Sequence, residues 1–214
     1  MNNLSDEDIK KKNKKKIFIR DGMPGEWLSY AEELMDAAEL LWENRAMGIQ
    51  AELLGTQNKA DSDKLIIDDS RIVSTISKPY FLLVGFAIEN LFKGLLVYQN
   101  PSNITSGKIS KNLKSHKLLT LAQKIPEISL SQEEREICYK IEKAIPYWGR
   151  YPIPLEYNGV MPFVGVTLEI KNTIKNLFNR ISLTLYNKIK NGWDSGKEVK
   201  SLKYLSKRYD NDSD

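Results

Sequence analysis

Two charged residues lie within the most apolar stretch of the chain. Glu89 and Lys93 interrupt the sequence FAIENLFKGLL and stand four positions apart, so on a helix they share one face. Burying either charge alone costs several kcal/mol. We therefore expect the two side chains to pair or to face a polar cavity. Two interpretations stay open, namely an ion pair that orients the helix and part of a ligand-binding site.

The chain has one histidine, His116, in the sequence NLKSHKLLTLA. Imidazole is the side chain best suited to proton transfer near neutral pH, which makes His116 a candidate catalytic residue. The alternative is that His116 caps or packs the short helix that begins beside it.

A third cluster lies in a segment with four prolines and several aromatic residues, numbers 146–163. Arg150 offers a planar fork that suits phosphate, and the flanking rings of Trp148 and Tyr151 could stack on a base. The alternative is that Arg150 neutralises Glu89 or a helix end while the rings fill the core. We expect this segment to fold over the central helix and to bring Arg150 to Glu89 and His116.

The sequence lacks several well-known motifs of catalytic and ligand-binding sites. There is no glycine-rich phosphate loop, no paired-histidine metal motif and no serine elbow. Cys138 is the single cysteine, which excludes an intrachain disulfide. With one histidine and one cysteine, zinc would need carboxylates for most of its ligands. We expect no metal and no cofactor.

Apolar residues recur at steps of three and four along most of the chain, which is typical of amphipathic helices. The expected fold is an all-α, antiparallel helical bundle with a proline- and aromatic-rich loop before the last helix. Ser131 and Glu134 form a capping-box pattern ahead of one helix, and Ser115 is a candidate cap of another. We expect helices at 25–54, 80–98, 132–145 and 165–191, loops at 55–69, 101–110 and 146–163, and no strand. A short helix is marked by the apolar residues Leu113, Leu118, Leu119, Leu121 and Ala122.

The positive charge is concentrated at the N-terminus. Residues 1–20 carry seven basic and three acidic side chains, which equals the net charge of +4 of the whole chain. We interpret 1–20 as a basic flexible tail, 21–191 as a single helical domain and 192–214 as a polar C-terminal tail. The lysines either attract phosphate non-specifically or form a solvated tail.

The sequence favours a cytoplasmic protein. The longest apolar run, Tyr80–Ile88, has nine residues, whereas a membrane-spanning helix needs roughly 20. The N-terminus has no pattern of a secretory signal, and a single cysteine suits a reducing compartment. We therefore expect no membrane span.

Two of these stretches resemble a known family. A long first helix, a buried helix with AIENLFKGLL and a downstream KSHKLLTLA are similar to the HEPN superfamily, over about residues 26–190. The resemblance implies a helical bundle that commonly dimerises and that occurs in toxin–antitoxin, antiphage and RNA-processing systems. Active members of this superfamily are metal-independent ribonucleases that use an arginine followed four to six residues later by a histidine.

The sequence departs from that pattern at the arginine. Lys111 occupies the equivalent place before His116, and no arginine lies between Arg71 and Arg135. Either Arg150 supplies the missing guanidinium group, or the chain resembles members of the superfamily that bind nucleotides or partners and do not cleave RNA. One imidazole does not easily perform both proton transfers of RNA cleavage, so an enzyme would need a dimer that brings two copies of His116 together.

The sequence therefore leads to two hypotheses. The first is a homodimer that binds RNA or a nucleotide, in a toxin–antitoxin or antiphage setting, and that would be a metal-independent endoribonuclease if it is an enzyme. Its catalytic residues would be His116 and Arg150, and its ligand-binding residues Glu89, Lys93, Lys111, Trp148 and Tyr151. The second is a non-catalytic protein-interaction module, an antitoxin-like or scaffold bundle, in which the same residues brace the helices.

Overall fold

The computed structural model is an all-α helical bundle with two small antiparallel hairpins. It describes residues 5–45, 47–54, 66–74, 76–148, 156, 165–197, 199–201, 203–206 and 208–209. The helices are α1 (Asp6–Asp21), α2 (Pro24–Glu43), α3 (Ser77–Gln99), α4 (Ser102–Thr105), α5 (Leu118–Ala122), α6 (Gln132–Trp148) and α7 (Leu168–Ile189), with a 3-10 turn at Lys111–Leu113. The strands are β1 (Met47–Leu54), β2 (Ile66–Ser74), β3 (Trp193–Asp194) and β4 (Lys200–Ser201).

Helix α3 is the centre of the bundle, and α2, α6 and α7 all pack against it. Two glycines permit this close packing: a β-carbon on Gly85 would lie 2.7 Å from Ile141 Cγ2, and one on Gly94 would lie 2.7 Å from Leu185 Cδ2. Among the described helices, α3 alone is long and apolar enough to cross a membrane. However, 78% of its most apolar window is buried inside the protein, as expected for the core helix of a bundle.

The boundaries of α3 follow from its two prolines. The sequence predicted a helix from residue 80, directly after Pro79, whereas the helix begins at Ser77. Pro79 is tolerated in the first turn because its missing N–H has no partner within the helix there. The predicted end is confirmed, since α3 stops at Gln99, directly before Asn100 and Pro101.

The prediction of one helix over 25–54 is correct for its first part and wrong for its last. Helix α2 ends at Glu43, and the Asn44 side chain donates a hydrogen bond to the Leu40 carbonyl. The next residues form β1, which pairs with β2 from Met47 opposite Ser74 to Leu54 opposite Ile66. Strand β2 contains four β-branched aliphatic residues, which favour a strand.

The N-terminal segment interpreted as a flexible tail is helical. The Ser5 hydroxyl accepts a hydrogen bond from the Asp8 amide at 3.2 Å, and the Asp8 carboxylate accepts from the Ser5 amide at 3.4 Å. This capping box starts α1, and three acidic residues in the first turn suit the helix dipole. Ile19 near its other end is buried and fastens α1 to the bundle.

The last two long helices agree with the sequence. The predicted capping box before α6 is confirmed: the Ser131 amide donates to Glu134 Oε2 at 2.8 Å, and the Glu134 amide donates to Ser131 Oγ at 3.2 Å. Helix α6 continues to Trp148 and so passes Pro146, three residues beyond the predicted end. Helix α7 lies within the predicted range 165–191.

The C-terminal segment, expected as a polar tail, folds back onto the bundle. Trp193, the first residue of β3, is buried. Further along, Arg208 contacts Asp36 of α2 at 2.6 Å, and the ring of Tyr209 lies 5.0 Å from that of Tyr186 on α7. The residues of the C-terminal segment that make these contacts do not recur at helical spacing, which is why the sequence did not predict them.

Candidate functional site

The two charged residues of α3 form a buried ion pair, as their spacing predicted. Glu89 is 4% and Lys93 7% exposed, and Lys93 Nζ lies 2.5 Å from Glu89 Oε1. Such a pair offsets the cost of removing each charge from water. Only one oxygen of the carboxylate is taken up by the lysine, so Glu89 can accept further hydrogen bonds.

The Glu89 carboxylate also contacts the imidazole of His116. His116 Nδ1 lies 3.1 Å from Glu89 Oε1 and 3.0 Å from Oε2, although 27 positions separate the two residues. A carboxylate at Nδ1 holds the proton on that nitrogen and leaves Nε2 as the acceptor. The His116 side chain is 62% exposed, so the imidazole is reachable from solvent while its carboxylate partner is buried.

The backbone around His116 is fixed by apolar residues on either side. Leu113 in the 3-10 turn and Leu118 at the start of α5 are both buried. Between them, the Lys117 amide donates to Ser115 Oγ at 3.1 Å. Ser115 is thus bonded to the residue before α5, and it does not cap the helix itself as the sequence suggested.

The start of α5 is stabilised from another helix. Glu142 on α6 accepts a hydrogen bond from the Leu119 amide at 3.2 Å. A carboxylate at a helix N-terminus satisfies an unpaired N–H and interacts well with the helix dipole. Glu142 therefore helps to position the segment that carries His116. No sequence signal identified it, because the contact joins residues 23 positions apart on different helices.

Of the other predicted site residues, the structure describes the side chain of Lys111 and the backbone position of Trp148. Lys111 lies in the 3-10 turn, with an exposed side chain. Trp148 is the last residue of α6. Arg150 and Tyr151 fall outside the described residues, so their convergence on Glu89 and His116 stays a prediction.

The single thiol is not a candidate nucleophile. Cys138 is fully buried on α6, and burial raises the pKa of its thiol to about 12, with smaller contributions from Glu134 and Glu142. A nucleophilic or metal-binding cysteine must be a thiolate. Within the described ranges, no group of three or more His, Cys, Asp or Glu side chains is placed to hold a metal ion.

The site can thus offer a solvent-facing imidazole whose orientation is set by a buried carboxylate. This is the arrangement by which acid–base enzymes hold a histidine in one tautomer and stabilise the imidazolium that forms during a proton transfer. Comparison of the chain with protein-family models, with curated proteins and with solved structures gave no match.

Proposed function

We propose that this protein is a HEPN-like, cytoplasmic homodimer that binds RNA or a nucleotide at a site centred on His116. Glu89 orients the imidazole, and the ion pair with Lys93 holds the Glu89 carboxylate in place. The setting is a toxin–antitoxin or antiphage system, and the protein, if it is an enzyme, is a metal-independent endoribonuclease.

The exposure of His116 carries the proposal. An imidazole that is 62% exposed contributes little to packing, and exposed ion pairs stabilise proteins by about 1 kcal/mol or less. Yet the chain places a buried carboxylate, itself paired with a buried lysine, behind this side chain. If the three residues only stabilised the fold, His116 would not need to face solvent. Proton transfer to a ligand does require this exposure.

RNA cleavage at such a site proceeds by attack of the neighbouring 2′-hydroxyl on phosphorus. Nε2 of His116 takes the 2′-hydroxyl proton, the 2′-oxygen forms a bond to phosphorus, and the bond from phosphorus to the 5′-oxygen breaks. The partner subunit's His116, in its protonated form, donates a proton to the 5′-oxygen. Lys111 or Arg150 supplies the positive charge that stabilises the phosphorane.

The test is incubation of the purified protein with a mixed pool of RNA in the presence of a metal chelator. We expect the wild type to bind or to cleave RNA. The His116→Ala variant should lose both activities and keep the melting temperature of the wild type. Gln123→Ala is the matched control, because Gln123 is exposed just after α5 and hydrogen-bonds through its backbone only.

Two outcomes would oppose the proposal. If His116→Ala lowers the melting temperature and leaves RNA binding intact, the Glu89 group is a brace and the protein is better described as an interaction module. If the wild type neither binds nor cleaves RNA and does not bind nucleotides, the proposed ligand class is wrong. Sedimentation of the wild type tests the dimer separately.

A further inference from the structure

The segment that carries His116 is rich in lysine and contains no acidic residue. Residues 107–126 include five lysines and no Asp or Glu, in a chain whose 32 basic and 28 acidic side chains nearly balance. All five lysine side chains are exposed, namely Lys108, Lys111, Lys114, Lys117 and Lys124. A surface with one sign of charge attracts ligands of the opposite sign. The surface around the imidazole therefore suits an anion.

The five lysines are not neutralised by the carboxylates that adjoin their segment. Glu89 binds Lys93, Glu142 accepts a hydrogen bond from a backbone amide of α5, and the carboxylate of Glu127 lies 3.1 Å from Lys188 Nζ. In the part of the chain that the structure describes, none of the five lysine side chains forms an ion pair. Their charges can therefore act on a ligand.

The fold of the segment places three of these lysines around the imidazole. Lys114 directly follows the 3-10 turn and Lys117 directly precedes α5, so they lie two positions before and one position after His116. Lys124 Nζ lies 3.5 Å from Asn112 Oδ1, which brings the residue after α5 back to the 3-10 turn. The three lysines and the imidazole therefore belong to one surface.

We infer that the ligand of the His116 site is a strand of RNA several nucleotides long, and that Lys114, Lys117 and Lys124 bind its phosphates. The inference rests on the proposed function and narrows its ligand class from RNA or a nucleotide to a strand. Lysine ammonium groups bind phosphate oxygens as point charges, so they hold the strand without selecting its bases. These lysines are binding residues, and His116 remains the group that acts on the strand.

The separation of the lysines favours a strand over a single nucleotide. Lys117 and Lys124 lie at opposite ends of α5, about 10 Å apart along the helix axis at about 1.5 Å per residue. A mononucleotide carries its negative charge at one end, so it gains from only part of this surface. A strand carries a charge at every nucleotide, contacts all three lysines and releases counterions at each contact.

The test uses an RNA that cannot be cleaved. A single-stranded oligouridylate of about ten nucleotides, a length that covers typical binding sites, keeps its phosphates and loses the attacking hydroxyl when every 2′-oxygen is methylated. We would measure the dissociation constants of this oligomer and of uridine monophosphate for the full-length protein, at salt concentrations from about 50 to 200 mM. The melting temperature of each protein would be recorded alongside.

Helix α1 supplies a matched control. Lys10, Lys11 and Lys14 are exposed on α1, outside the segment that carries His116. The triple variants K114Q/K117Q/K124Q and K10Q/K11Q/K14Q therefore lower the net charge by the same amount. Lys111 is retained in both variants, because the proposed reaction gives it a separate role at the phosphorane.

We expect the wild type to bind the oligomer at least about tenfold more tightly than uridine monophosphate, and K114Q/K117Q/K124Q to lose at least about tenfold in affinity for the oligomer. The slope of log K against log salt should become shallower by about 2 in this variant, at about 0.7 per phosphate contact. K10Q/K11Q/K14Q should keep the slope of the wild type. If the wild type cleaves unmodified RNA, K114Q/K117Q/K124Q should raise KM and leave kcat unchanged, as expected for uniform binding.

Two results would overturn the inference and leave the proposed function standing. The first is binding of uridine monophosphate as tight as that of the oligomer. The second is an equal loss of oligomer binding in the two triple variants, which is the behaviour of non-specific attraction to a basic protein. Binding of neither the oligomer nor a nucleotide by the wild type would instead refute the proposed function, and this inference with it.

Discussion

His116 Nδ1 lies 3.0 Å from Glu89 Oε2, which links an exposed imidazole to the most buried helix of the protein. The same carboxylate binds Lys93 Nζ through its other oxygen. Glu89 is therefore shared by a buried cation and a surface histidine. The stability of α3 and the orientation of the imidazole depend on the same carboxylate, and they can be separated by mutation.

Removal of Glu89 alone should be strongly destabilising. In Glu89→Ala the ammonium group of Lys93 stays buried without its partner, and we expect the free energy of unfolding to fall by about 3 to 5 kcal/mol. In the double variant Glu89→Leu/Lys93→Met most of this loss should be recovered, since apolar residues of similar size replace the whole pair. Urea denaturation measures both effects. A double variant as unstable as Glu89→Ala would contradict the ion pair as the cause.

The same double variant should change the tautomer of His116. In the wild type, at a pH where the imidazole is neutral, we expect the proton on Nδ1, because the Glu89 carboxylate accepts from it. In Glu89→Leu/Lys93→Met no acceptor remains at this position, and the proton should shift toward Nε2. Nitrogen-15 NMR of the ring distinguishes the two forms. An Nδ1–H signal that persists in the folded double variant would show that Glu89 does not orient the ring.

The Glu89–Lys93 pair could be predicted because residues four positions apart share one face of a helix. On an apolar helix, pairing offsets the cost of burying the two opposite charges. The contact with His116 agrees with the expectation that the buried charges and the imidazole share one location, although the sequence did not identify Glu142 as a support. The β1–β2 hairpin was missed because Ile49 and Leu53 continue the apolar steps of α2 beyond its end. Helix α1 was missed because most of its residues are exposed lysines, which are typical of a solvated tail, and Ile19 is its single buried residue.

Close packing of α3 against α6 should make Gly85 intolerant of a side chain. A β-carbon at this position would lie 2.7 Å from Ile141 Cγ2 and 3.0 Å from two atoms of Ile145. Alanine is the better helix former by about 1 kcal/mol, but overpacking in a core costs typically 1 to 3 kcal/mol. We expect Gly85→Ala to lower the melting temperature. A melting temperature that rises would mean that α6 can move away from α3 at little cost.

The contact between the C-terminal segment and α2 should give a measurable dependence of stability on pH. Burial raises the pKa of Glu32, while a hydrogen bond from Ser206 and the charge of Arg208 partly oppose it, and Asp36 adds to the increase. Because the folded protein holds this proton more tightly than the unfolded chain, Glu32 contributes less stability as pH rises from the unfolded pKa through the folded one.

Glu32→Gln removes this titration and retains an oxygen that can accept from Ser206. We expect the stability of Glu32→Gln relative to the wild type to increase between acidic and neutral pH and then to stay constant. Thermal melts of both proteins across this range provide the measurement. A difference that is constant with pH, or that has the opposite trend, would show that Glu32 is not buried against Ser206 in solution.

Reactivity of the single thiol should report on opening of the bundle. Cys138 is 0% exposed, and burial, assisted by Glu134 and Glu142, raises the pKa of its thiol to about 12, so the folded protein at pH 8 has almost no thiolate to react. We expect negligible modification by a chromogenic disulfide reagent under native conditions and complete modification in concentrated urea. The same assay on Gly85→Ala should show faster reaction, because weaker packing of α3 on α6 makes opening of the bundle more frequent. Rapid modification of the native wild type would mean that α6 does not pack closely against α3 in solution.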